Sequence, residues 1–148
     1  MRRQPVTICL FICSTLLSGW LCHAKTPVPT SAQVAVPPLT GHVTDTTHTL
    51  TDEQQNKIEK ALTAFELRKG SQLAVLLVAT TQPETIEQYA MRVAEQWKLG
   101  RKKIDDGAIL IVAKNDRTVR IEVGYGLEGV LNDATSKRII EEIITPNF

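Results

Sequence analysis

Two unbroken apolar runs constrain the fold of this chain more than any other feature. One lies within Gln72 to Thr80 (QLAVLLVAT) and the other is Ala108 to Ala113 (AILIVA). Both have strand length, and neither alternates with polar residues, which is the pattern of strands covered on both faces. The stretch between them has a helical period, with Ile86, Tyr89, Ala90, Val93, Ala94 and Trp97 on one stripe. Two buried strands joined by a helical crossover are expected to lie parallel in one sheet. Tyr89 and Trp97 sit on the apolar stripe and read as core residues.

The flanking segments fit the same architecture. Thr51 and Gln54 have capping-box spacing, and Ile58, Ala61, Leu62 and Phe65 follow at i, i+3, i+4 and i+7, so a helix is expected over about 52–68 before Gly70 stops it. Thr85 and Gln88 repeat the box for the second helix, which Gly100 is expected to end. Val119, Ile121 and Val123 alternate with polar residues after the turn at Asn115-Asp116, giving a hairpin partner near an edge. Asn132 or Asp133 can cap a last helix carrying Ile139, Ile140, Ile143 and Ile144. The expected class is α/β, with helices on the faces of a mixed sheet.

The N-terminus reads as an address. Arg2 and Arg3 precede a largely apolar run, Ile8 to Leu21, and Cys22-His23-Ala24 offers a cleavage site, so residues 1–24 are expected to be a signal peptide. Lipid attachment at Cys22 is disfavoured by the bulky Trp20 and Leu21 before it. Cleavage removes all 3 cysteines, which excludes disulfides, a thiol nucleophile and Cys-ligated metals. It also lowers the basic count from 17 to 15 against 16 acidic residues, a formal charge of −1 that leaves no basic excess for nucleic acid. Residues 25–40, rich in proline, are expected to be a flexible leader, and 41–148 a single domain. The protein is thus expected to be exported, periplasmic or secreted.

Chemistry concentrates at the strand ends. Because the last two strands are hairpin partners, Arg101-Lys102-Lys103-Ile104-Asp105-Asp106-Gly107 lies beside Gly124-Tyr125-Gly126-Leu127-Glu128-Gly129 and Asp133. Asp105, Asp106, Glu128 and Asp133 are then expected to gather at one end of the sheet, where carboxylates on glycine-rich loops suit calcium or magnesium. The competing assignment makes Asp105-Asp106-Gly107 a turn and Asp133 a helix cap. The basic run can hold an anion or simply complement a helix C-terminus. Although GYGLEG matches G-x-G-x-x-G, it leaves an outer hairpin strand and opens no helix, so nucleotide binding is not expected. Its glycines are instead expected to permit positive φ angles that aim Tyr125 and Glu128. His42 and His48 flank Asp45 where no helix aligns them, and they read as solvated loop histidines.

These loops resemble the TPM domain family, found in the thylakoid lumen protein of photosystem II repair and in bacterial exported proteins of the YgcG type. The resemblance rests on Val43-Thr44-Asp45 with Leu50-Thr51, the strand Leu73 to Val78, Gly100 to Leu110 with Asp105-Asp106-Gly107, and Gly124 to Gly129 leading to Leu131-Asn132-Asp133. It implies a three-layer αβα sandwich with a mostly parallel central sheet. It also implies a divalent cation, calcium foremost, at Asp45, Asp105, Asp106 and Asp133, with Glu128 as a weaker ligand. Gly107, Gly124, Tyr125, Gly126 and Gly129 would form the binding loops around it. Of two readings, the preferred one is a module that binds a divalent cation and a protein partner in envelope or membrane-protein maintenance; the alternative is a metal-assisted acid phosphatase, the activity that the resemblance implies. Membrane association is expected only through a C-terminal segment missing beyond Phe148.

Overall fold

The computed structural model describes residues 32–147. The expected signal peptide, the start of the leader and Phe148 lie outside the described residues. Thr51 and Gln54 close their capping box at the start of α1 (Asp52–Lys69), whose stop is Gly70 at φ 79°. Thr85 and Gln88 do the same for α2 (Ile86–Trp97). This helix ends earlier than expected, because Lys98 already adopts the left-handed conformation at φ 49° and its amide bonds back to Ala94. Asn132 rather than Asp133 caps α3 (Asp133–Ile139), which runs on into a π turn (Ile140–Ile144).

The sheet has four strands in the order β1 (Val43–Asp45), β2 (Gln72–Val78), β3 (Gly107–Ala113) and β4 (Thr118–Val123). The first three are parallel, and β4 returns antiparallel beside β3. This is the mixed, mostly parallel sheet of an αβα sandwich. The extra strand is β1, which periodicity alone cannot reveal in three residues. Val43 pairs with Val75 and is buried.

Residues at alternate positions of the central strands share a face. Ala74, Leu76, Val78, Ile109, Ile111 and Ala113 meet Ile86, Tyr89, Ala90, Val93 and Trp97 of α2 in a close-packed core. The rest of the helical cover is looser: α1 lies against β1 and β2 without one fully buried residue, and the π turn reaches β4.

The leader is not wholly free. Val34 and Val36 pack on the core, and α2 holds the main chain around them. Arg92 Nη2 donates to the Val34 carbonyl (2.8 Å), Tyr89 Oη to Ala35 (3.2 Å) and Trp97 Nε1 to Pro37 (2.8 Å). Arg92 is itself held by Glu84 and lies 5.3 Å from the centre of the Tyr89 ring. A proline-rich segment lacks donors but keeps its carbonyls, and three α2 side chains supply the donors that seat it. Among the described residues no helix is long and apolar enough to cross a membrane.

Candidate functional site

The start of β3 and the end of β4 form one end of the sheet, where the two loops lock together. Asp105, in left-handed conformation at φ 57°, accepts the Tyr125 amide on its side chain (3.1 Å) and the Gly126 amide on its carbonyl (3.0 Å). Gly124 donates to the Gly107 carbonyl at 2.7 Å, and Tyr125–Leu127 then coil into a 3₁₀ turn. A Cβ at Gly124 would fall on the Asp105 carbonyl oxygen, and one at Gly126 on that of Ile104. The glycines are therefore needed for close main-chain approach, not for positive φ as the sequence suggested. Positive φ falls instead on Lys103 (78°), Asp105 and Gly100 (102°). Gly129 has open space around the position of a Cβ, with no left-handed φ, so nothing in the loop requires its lack of a side chain.

The expected carboxylates do not all meet. Asp45 aligns with Leu77 and, through it, with Val112, whereas Asp105 and Asp106 precede Gly107. Six residues of strand, about 20 Å, separate the two ends. At its own end Asp45 closes a loop, accepting the Thr47 amide and hydroxyl and the Leu50 amide at 2.7–2.8 Å. Partial burial raises its pKa, but these bonds outweigh that and lower it overall.

Asp106 is at the right end but engaged. It is 2 % exposed and takes the Arg101 amide on Oδ1 (2.8 Å), with Arg101 Nε (2.9 Å), Arg101 Nη2 (2.6 Å) and Ser71 Oγ (3.2 Å) on Oδ2. The Arg101 guanidinium, followed by its amide, lowers the Asp106 pKa to about 2. With Oδ2 taken by both guanidinium nitrogens and Ser71, and Oδ1 by the Arg101 amide, this carboxylate is committed to Arg101 rather than presented to a cation. Asp133 stands on the first turn of α3 with its side chain 95 % exposed, its Oδ1 4.0 Å from Arg120 Nη2.

Asp105, Glu128 and Asp133 thus remain near this end without forming one site. Among the described residues no three His, Cys, Asp or Glu side chains are gathered to hold a metal ion. As arranged, the carboxylates do not fit the cation that the family resemblance implies.

Two clefts flank the loops. One, about 470 Å³, is lined by Lys98, Arg101, Lys102 and Lys103 together with Glu95, Asp105, Glu122 and Tyr125. The other, about 620 Å³, runs between β4 and the segment from Glu128 to Ala134. Tyr125 is 80 % exposed and Val130 76 %, and Ile104 also faces solvent, so an apolar surface crowns the rigid loops.

At the N-terminal edge of the sheet His42 corrects the sequence reading. Its ring is only 21 % exposed, with Nδ1 2.8 Å from Glu59 Oε1 and Nε2 2.7 Å from Glu66 Oε2. Burial alone would lower the His42 pKa, but the bonds to Glu66 and Glu59 prevail and raise it. Glu66 passes the contact on: Gln72 Nε2 donates to it at 2.7 Å, and Gln72 Oε1 accepts the Gly100 amide at 2.7 Å. The signal available in the sequence was the i, i+7 spacing of Glu59 and Glu66 along one side of α1. His48, by contrast, is exposed.

A family model described as TPM domain matches residues 43–148. Among solved structures, the N-terminal domain of a protein from P. gingivalis is similar at 32 % identity and a TM-score of 0.68, over 74 % of this chain and 69 % of that one. The N-terminal domain of the cg2496 protein from Corynebacterium glutamicum shares the fold at 15 % identity and a TM-score of 0.51, over 65 % and 63 %. No curated protein matches the chain.

Proposed function

The chain belongs to the TPM domain family, and from that premise we propose that it is an exported module that binds a protein partner in the cell envelope through the loops that precede β3 and follow β4. One observation carries this reading: Tyr125 and its apolar neighbours are held out to solvent by a frame of main-chain bonds and close glycine contacts. Ordering a binding loop before contact removes entropy that would otherwise oppose association, and exposed aromatic side chains are the commonest anchors of interfaces.

The test places a photo-crosslinking residue at position 125 in the exported protein and identifies the product formed in intact cells. A discrete product that disappears when Ile104→Asp is added supports the reading. Products identical to those from a crosslinker at Thr47, at the other end of the sheet, would sink it.

Divalent-cation binding requires Asp105, Glu128 and Asp133 to draw together, since Asp45 and Asp106 are engaged elsewhere. Millimolar calcium should then raise the melting temperature of the wild type but not of Asp105→Asn. Unchanged melting in both removes the cation from the proposal. The phosphatase alternative has one support, the cleft lined by Asp105 together with Lys98, Arg101, Lys102 and Lys103. Phosphate release from an ester panel that is unaffected by Asp105→Asn would refute it.

A further inference from the structure

The outer edge of β4 carries groups that nothing described so far uses. β4 pairs only with β3 and ends the sheet. The phase of its hydrogen bonding follows from the Gly124 amide, which bonds to Gly107 one step beyond the Ala108–Val123 pair. Hydrogen-bonded and non-bonded pairs alternate in an antiparallel ladder. Thr118, Arg120 and Glu122 therefore direct their main-chain groups at β3, and Val119, Ile121 and Val123 direct theirs outward. Among the described residues no turn, cap or side-chain hydrogen bond reaches these outward groups.

The larger cleft lies along this edge. Glu122, Glu128 and Asp133 line it against a single cation, Arg120. Arg120 is within 3.2 Å of Glu122 and 4.0 Å of Asp133, so the groove keeps an excess of negative charge. Charge also discriminates between occupants. A second copy paired edge to edge would bring the same acidic residues near their own kind, whereas a basic extended segment meets them with opposite charge.

We propose that the outer edge of β4 is a peptide-binding site, which takes one extended segment with basic side chains by strand addition along Val119–Val123. Main-chain bonds to Val119, Ile121 and Val123 supply affinity without sequence preference, and the acidic wall selects lysine or arginine at alternate positions. The site is separate from the Tyr125 loop face, so either can fail without the other.

The test uses isotope-labelled mature protein and two heptapeptides, one alternating lysine with valine and one alternating glutamate with valine. Amide exchange at Val119, Ile121 and Val123 should slow about tenfold or more with the basic peptide and remain unchanged with the acidic one. Ile121→Pro removes one outward donor and none of the β3–β4 ladder bonds, as proline is tolerated on an edge strand, and it should abolish the effect. The double charge reversal Glu128→Lys with Asp133→Lys, which replaces no strand residue, should weaken binding about tenfold. Tyr125→Ala should leave it intact. Equal protection by both peptides, no protection by either, or concentration-dependent protection with no peptide present would each overturn the proposal, the last by making a second copy the occupant.

Discussion

Replacing His42 with glutamine tests the clasp between the N-terminal edge of the sheet and α1 through its pH dependence. Both ring nitrogens face carboxylate oxygens, so both carry protons only when the ring is charged. A His42 pKa raised above 6.5 on folding means that the charged ring stabilises fully below about 6.5 and loses its contribution as pH rises through the folded value. Glu59 and Glu66 are lowered from 4.5, so their share is present above that value and fades in acid. The clasp is strongest between these limits. Charged hydrogen bonds contribute about 1.5–3 kcal/mol each when well buried. Here the side chains are 21–33 % exposed, and the neutral ring still keeps one donor, so about 1–2 kcal/mol should disappear on the alkaline side. At about 4 °C per kcal/mol for a domain of this size, the wild type should melt about 4–8 °C lower at pH 8.5 than at pH 5.5, relative to the same difference in His42→Gln. Calorimetry of both proteins across that range is the assay. Parallel curves, or a wild type that gains on the mutant as pH rises, would show that the ring is not charged between the two glutamates.

Two further substitutions probe the frame and the arm. Gly126→Ala should destabilise the domain by about 1–3 kcal/mol in denaturant melts, because its Cβ meets main chain rather than a movable side chain, whereas Gly129→Ala should stay within about 0.5 kcal/mol. A comparable loss at both positions would mean that close approach does not explain the glycines. Trp97→Phe keeps the core ring but removes the donor to Pro37, so proteolytic cleavage within residues 32–40 should accelerate at least several-fold while the rest of the domain stays protected. An unchanged cleavage rate would show that the arm is seated by Val34 and Val36 alone.

Elements with a strong local cause were legible before any coordinates. The capping boxes at Thr51 and Thr85 and the β3–β4 hairpin follow from patterns a few residues long, and the parallel pairing of β2 with β3 from two apolar runs and the helical crossover between them. What the sequence hid has no such local pattern to announce it. β1 exists because Val43 finds Val75, and the arm because Pro37 finds Trp97 sixty positions away. The candidate site shows the same division. That Asp105 and the Tyr125 loop adjoin follows from hairpin register, but Arg101 already occupies Asp106 and Asp45 lies at the far end. Composition cannot distinguish an aspartate satisfied by its own neighbours from one awaiting a ligand.

The locked loop end also bears on how this domain diversifies. Gly124 and Gly126 are fixed by main chain pressed on main chain, and Asp105 and Asp106 by the bonds they accept. Drift there breaks the frame before it alters what the frame displays. Tyr125, Glu128 and Lys102 carry no such burden, since their side chains leave the loops for solvent. Relatives that change partners should therefore differ at these outward positions over an unchanged backbone, redecorating the end of the sheet without rebuilding it.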